Sequence, residues 1–432
     1  MRIAIVSREV IPFFGAGIGT YAAAMARAWG AAGHEVHFLS EAHPGFAERG
    51  PAELGGATCH PVPLPDAKFH FAKLAEGVRR ELLTLHARTP LDYIEFPDYF
   101  AEGYFAIRGR RMKGELAGAV LGVRLHTPTM ECRKLNDEGD GGEEIATLER
   151  CEAAAIRGAD VVISPSRSLL DIVKSRLAFA APGVVVPYPF RLEPSAAGAV
   201  SANFDRPTVL YFGRLERRKG VELLVEAGQR VLERGVNVSF RFIGGDTQTG
   251  PRVGSMLAHL QGLIASKWKD RFTFEARRPR QELFSIVRGV SASGGVCCIP
   301  SLWENFPNVC LEAMALGAPV VGSDAGGMRE IIEDGVSGVL FAAGDARSLE
   351  AALVKVLHDA ALRSTIAANA PGRIAKLCNP TTVVQQTIDA IEAARRLPEF
   401  GRARAFDEAS IPSVPIGGRI KRLAKRVLGG RE

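Results

Sequence analysis

Short apolar runs recur along this chain, each followed by a longer stretch with helical spacing. Ile3–Val6 has the length and composition of a buried strand, and the small apolar residues of Tyr21–Gly30 suit a helix packed on a sheet. His34-Glu-Val-His-Phe-Leu-Ser40, Leu91–Phe96, Ala119–Leu125 and Asp160–Ser164 continue the series as strands, with a helix from Glu143 to Arg157 between the last two. After them Ser166 or Ser168 is placed to cap a further helix, Val184–Pro187 reads as a short strand, and Arg191–Pro207 reads as a linker. The stretch Glu131–Glu144, rich in Gly, Asp and Glu, reads as a mobile loop.

The second half restarts the alternation. Thr208–Gly213, Val238–Ile243, Phe272–Phe274, Gly295–Pro300 and Pro319–Ser323 are expected strands, and Val221–Arg234, Leu349–Leu357, Leu362–Leu377 and Thr381–Arg396 are expected helices. Strands separated by helices imply parallel sheets. The fold class is therefore α/β, with two tandem Rossmann-like domains facing across a cleft and ligands expected at the carboxyl ends of the strands. Domain limits are set at 1–195 and 205–380, with a helix at 381–398 crossing back to the first domain and a basic flexible tail at 399–432.

Candidate chemistry concentrates in Pro300–Asp324. Pro307 suits the first turn of a short helix, and Gly317 with Pro319 ends it. The amides near Phe306, Asn308 and Val309 then form an anion site at the positive end of the helix dipole. Glu304 precedes the helix and Glu312 lies inside it. At about 1.5 Å rise per residue they flank a bound phosphate, and carboxylates accept hydrogen bonds from sugar hydroxyls. A nucleotide sugar fits: diphosphate at the amides, ribose beside one carboxylate, hexose beside the other. Helix-dipole complementation by Glu304 and a solvated Glu312 fit the same residues.

Other positions extend this site. Arg214 and Lys219 flank the strand-end turn after Gly213, where two cations offset most of a diphosphate's charge; two solvated cations read equally from the turn alone. Glu95-Phe-Pro-Asp98 and His126 follow first-half strands and lie on the same sheet edge, although a lone histidine is often structural. Gly15, Gly17 and Gly19 lack the dinucleotide spacing, which requires glycine at Thr20, so no nicotinamide cofactor is expected. Gly17 remains a place where backbone approaches a phosphate or an acceptor, or an ordinary turn.

Composition narrows the class without deciding it. With 432 residues, 47% hydrophobic and 24% charged, the chain suits two globular domains. No apolar run reaches transmembrane length and Met1–Val6 enters a strand directly, so a cytoplasmic protein is expected. Seven irregularly spaced cysteines read as reduced thiols rather than a disulfide or zinc framework. The net charge of +6 suits phosphorylated substrates, whereas dispersed cations without a recognition motif argue against nucleic acid. Arg419–Leu428 has Ile420, Leu423 and Val427 on one helical face, fitting peripheral contact with an anionic membrane or a solubilising end.

Glu304 and Glu312, with seven residues between them, resemble the paired glutamates of retaining glycosyltransferases of the two-Rossmann-domain (GT-B) type, family four or group 1. Gly213-Arg214 with Lys219-Gly220, the run Gly317–Gly327, the glycine loop, Glu95–Asp98, His126 and Ser164–Arg167 resemble further family segments, up to about residue 395. Gly15-Ala-Gly17 departs from the adjacent glycines frequent there. The resemblance implies that Arg214 and Lys219 hold the leaving diphosphate with the helix amides, including those of Asn305 and Phe306. It also implies that Glu312 binds ribose, that Glu304 binds the donor sugar, and that His126 contacts that sugar. Glu95, Asp98 and His126 then face an acceptor, and Gly245 and Arg277 lie beside the base.

The expected function is retaining transfer of a hexose from a UDP- or GDP-sugar to a hydroxyl of a glycan or lipid-linked acceptor, as in polysaccharide biosynthesis. No Asp-x-Asp triplet occurs, so no metal and no cofactor beyond the nucleotide-sugar co-substrate are expected. A nucleotide-sugar 2-epimerase-like isomerase, a non-catalytic nucleotide-sugar-binding subunit and a nicotinamide oxidoreductase are the rivals.

Overall fold

The computed structural model describes residues 1–15, 17–139, 141–192, 204–251, 254–401 and 406. Arg419–Leu428 and residues 193–203 of the linker lie outside them. Two compact units are present: Met1–Glu131, Asp140–Pro189 and Pro380–Glu432 form the first, and Cys132–Gly139 with Phe190–Asn379 form the second.

The first unit is built on seven strands: β1 Arg2–Val6, β2 Glu35–Glu41, β3 Thr58–Val62, β4 Tyr93–Pro97, β5 Val120–Arg124, β6 Val161–Ser164 and β7 Gly183–Val185. Their order is β3-β2-β1-β4-β5-β6-β7, and every pair is parallel, with Ala4 opposite both His37 and Ile94. Helices on both faces bury the inner strands completely, which is why they read as continuous apolar runs. β3 carried no such signal. Its Thr-Cys-His-Pro-Val sequence is half exposed at the sheet edge, the one place where Pro61 costs no ladder hydrogen bond. The helix Pro380–Arg395 packs on the helix Gly17–Ala31 and on β5 and β6, although it follows the second unit in sequence.

The second unit carries β8 Thr208–Phe212, β9 Ser239–Ile243, β10 Phe272–Glu275, β11 Val296–Ile299, β12 Val320–Ser323 and β13 Val339–Phe341. Their order is β10-β9-β8-β11-β12-β13, again all parallel. Phe240, Phe242 and Phe272 stack within its core. The order reverses between β8 and β11, so the polar turn after β8 and the Pro300–Pro307 loop after β11 leave neighbouring strands at one switch point.

One local expectation fails. Glu131–Glu144 is not a mobile loop throughout: a helix runs over Thr129–Asn136 and another begins at Gly142. Asn136 is 7% exposed, and besides Glu138 it bonds Glu216 and Arg218, some eighty residues away in sequence, where local composition cannot reveal them. Among the described residues no helix is long and apolar enough to cross a membrane, and all seven cysteines are unpaired thiols.

Candidate active site

In the second unit backbone geometry fixes the turn after β8 before any charge acts. A Cβ on Gly244 would lie 1.7 Å from the Gly213 carbonyl oxygen, so the ends of β8 and β9 meet only because glycine stands there. The Gly213 amide donates to Ile243 at 3.0 Å and the Leu215 amide to Gly245 at 2.8 Å. At the other end Gly220 has φ +67°, and a Cβ would sit 1.9 Å from the Pro300 carbonyl oxygen. Residues 214–219 are thereby pinned to both neighbouring strands.

The charges of this turn are organised around two buried carboxylates. Glu216, 3% exposed, lies 3.0 Å from Arg214 and 2.8 Å from Arg218. Glu304, 5% exposed, takes the Lys219 ammonium and, at 2.9 Å, the Ser301 hydroxyl, with Arg218 at 3.6 Å. Three cations thus face two carboxylates, leaving one positive charge in excess. Burial works against the charged form of Glu304, but Lys219 and Arg218 together outweigh it and hold its carboxyl below the ordinary range. Burial, followed by Arg218, lowers Lys219 against the opposing pull of Glu304. The Gly326-Gly327 turn fixes the backbone of Glu304: Gly327 donates to its carbonyl at 2.9 Å, and a Cβ on Gly326 would stand 2.0 Å from that oxygen.

Glu312 sits differently. It is half-buried on the helix Asn308–Ala315 and paired with Arg280 at 3.2 Å; burial raises its carboxyl, with Arg280 opposing. Pro307 precedes that helix as its N-cap residue rather than occupying its first turn. The amides of Cys310 and Leu311 already donate to the Pro307 carbonyl, which excludes them as ligand donors. Asn305 and Phe306 are buried, Asn308 and Val309 half-buried, and Gly245 and Arg277 exposed beyond β9 and β10. Arg278, beside Arg277, is held at 2.9 Å by Glu275, which also binds Arg241.

The first unit gathers a second constellation. His126, just past β5, gives its amide to Asp98 at 2.9 Å, and its Nδ1 lies 2.7 Å from the Tyr188 hydroxyl. Burial and then Arg124 push its imidazole down to about 3, so it is neutral near pH 7. Glu95 and Asp98, expected on the acceptor side, have their carboxylates taken by protein partners. Both are buried, Glu95 receives Tyr21 at 2.6 Å and Tyr93 at 2.9 Å beside Arg124, and Asp98 receives the His126 and Thr127 amides. Buried carboxylates need such partners, and through its two amide bonds Asp98 supports the loop that carries His126. Gly17 begins the helix Gly17–Ala31, where the Gly19 amide donates to Glu9 at 3.2 Å. The Glu9 carboxylate thus takes one amide of this helix start.

Residues 16–189 match the family model of the glycosyl transferase 4-like domain, and residues 206–359 match that of the glycosyl transferases group 1. The chain belongs to the group 1 glycosyltransferases. It is 28% identical over 301 residues to a D-inositol 3-phosphate glycosyltransferase of Corynebacterium urealyticum, covering 66% of this chain and 69% of that one. A protein of the same name from Frankia alni is 32% identical over 213 residues, 48% of this chain and 51% of that one; the match thus spans about half the relative's length. Anabaena HepE in complex with UDP and glucose superposes with a TM-score of 0.67 at 20% identity, over 91% of this chain and all of that one, and shares the GT-B fold.

In this glycosyltransferase the turn after β8 brings Arg214 to Glu216 and Lys219 to Glu304, while Glu312 pairs with Arg280; the sequence did not show what holds them. Glu216 and Arg218 were visible as charges inside the 214–219 turn, but nothing in their spacing marked them as buried. Tyr188 and Tyr21, which pack around His126, carry no motif at all.

Proposed function

We propose that this glycosyltransferase moves a hexose from a nucleotide diphosphate sugar to a hydroxyl of a glycan or lipid-linked acceptor, with retention and without a metal ion. The carrying observation is the excess positive charge of Arg214, Arg218 and Lys219 around Glu216 and Glu304 at the switch point of the second sheet. Such a cluster stabilises negative charge as it develops on a departing diphosphate, the task a divalent cation performs elsewhere. The likeness to Anabaena HepE, which was solved with UDP and glucose bound, supports a nucleotide-sugar donor.

In this reading Arg214 and Lys219 hold the diphosphate, and Lys219 bridges it to Glu304, which accepts hydrogen bonds from the donor hexose. Glu312 takes the ribose hydroxyls while keeping Arg280. Neutral His126, whose Nδ1 lies 2.7 Å from the Tyr188 hydroxyl, is read as a contact of the donor sugar. The departing phosphate oxygen accepts the acceptor's proton, so no protein base is assigned.

Isothermal titration with UDP, GDP and their hexose conjugates, followed by transfer assays with and without EDTA, tests this. One nucleotide family should bind, Lys219→Ala should weaken it, and EDTA should not stop transfer. Failure of both nucleotides to bind would sink the donor assignment. An NMR time course showing an epimer formed without acceptor would favour the isomerase instead.

A further inference from the structure

The Arg214–Lys219 turn is held from outside by a side chain that the proposed mechanism leaves unused. Residues 132–139 belong to the second unit, and there Asn136 closes two hydrogen bonds on the turn. Its Nδ2 donates to Glu216 Oε1 at 2.7 Å, and its Oδ1 accepts the Arg218 amide at 3.2 Å. Glu216 Oε1 also accepts from Arg218 Nε at 2.8 Å, while Glu216 Oε2 lies 3.0 Å from Arg214. One carboxylate therefore hydrogen-bonds Arg218 and pairs in charge with Arg214, and one amide holds that carboxylate together with the backbone between them. Beside it Asp137 pairs with Arg217 at 3.1 Å, and the Arg217 amide donates to Thr249 at 3.1 Å.

The residue type matters here. A carboxylate can only accept and a backbone N–H can only donate, so the bridging group needs a donor and an acceptor a short distance apart on one rigid plane. An amide supplies both, and with Nδ2 also donating to Glu138 Oε1 at 3.0 Å its partners leave one way round for its oxygen and nitrogen. Alanine would leave a buried Glu216 lone pair and a buried Arg218 amide without this partner. Aspartate would keep the acceptor but set a second negative charge against Glu216.

We infer that Asn136 is a positioning residue for the donor diphosphate: through Glu216 it sets the directions of Arg214 and of the backbone leading to Lys219, without touching the ligand. Arg214 has a side chain 58% exposed, and its ion pair with Glu216 is what aims it. This inference rests on the nucleotide-sugar reading above.

The test is calorimetric titration of the full-length protein and its Asn136→Ala and Asn136→Asp variants with UDP, GDP, uridine and guanosine. The wild type should prefer the diphosphate of one base. Asn136→Ala should weaken that diphosphate roughly tenfold or more, the scale of a lost hydrogen bond to a charged group, while the matching nucleoside, which does not reach the turn, binds as before. Asn136→Asp should bind the diphosphate more weakly still. Unchanged diphosphate affinity in Asn136→Ala, an equal loss on nucleoside and diphosphate, or tighter binding by Asn136→Asp than by Asn136→Ala would overturn the inference. A wild type that binds neither nucleotide would instead remove the donor assignment, and this inference with it.

Discussion

Replacing Glu304 by Gln should have opposite effects on stability and on diphosphate binding. In the unliganded protein Glu304 is the anion that Lys219 contacts, whereas Arg218 keeps Glu216. Removing one partner of a buried ion pair costs about 3–5 kcal/mol, and the Gln carbonyl, still able to accept a hydrogen bond, reduces this to about 2–3 kcal/mol. For a unit of this size that is a fall in Tm of roughly 4–12 °C. A bound phosphate oxygen on the far side of Lys219 would stand about 5–6 Å from the Glu304 carboxylate, two contacts of about 2.8 Å each. The repulsion there is about 3 kcal/mol at an effective dielectric near 20, and about half that after screening at physiological salt. Nucleoside diphosphate should therefore bind Glu304→Gln up to roughly tenfold more tightly, while hexose transfer is lost with the sugar contact. Differential scanning fluorimetry with and without UDP or GDP, at low and high salt, reads both effects. A variant with wild-type Tm, or one that binds diphosphate more weakly than wild type, would refute this account of the turn.

Two further outcomes follow from burial and backbone geometry. Burial raises Asp98 to about 7 and Glu102 and Glu152 to about 8, so between the unfolded carboxylate value near 4 and these values the folded chain holds protons that the unfolded chain has lost. Their contribution is full below the unfolded value and is lost as pH rises, so Tm should fall from pH 6 to 9, less steeply in Glu152→Gln; a flat or rising profile contradicts it. His126 acts lower: the unfolded chain takes its proton below about 6.5 and the folded chain only near 3, so stability also drops across that interval as pH falls. Gly220→Ala and Gly235→Ala both place a side chain at positive φ, +67° and +80°, but only the first puts a Cβ 1.9 Å from a carbonyl oxygen. Chemical denaturation should show about 1 kcal/mol lost for Gly235→Ala and several times that for Gly220→Ala, with diphosphate binding lost only in the latter. Equal losses would mean that the contact with Pro300 does not constrain the turn.

Much of this protein is legible in its sequence because the signals are local. Continuous apolar runs such as Ile3–Val6 and Thr208–Phe212 mark strands buried on both faces, and the intervening helical periods impose parallel sheets. Arg214, Lys219, Glu304 and Glu312 stand out because each is a charge placed at a strand end or a helix start. Tertiary structure alone decided which charges meet. Glu95 and Asp98 also stand at a strand end, yet the carboxylates of both are taken by buried partners. Asn136 lies in a stretch whose composition suggests a loop, yet it ends a helix and bonds Glu216 and Arg218, some eighty residues on. Spacing along the chain sets local backbone form and the face a side chain takes. Burial and long-range pairing set its charge, and through its charge what it can hold.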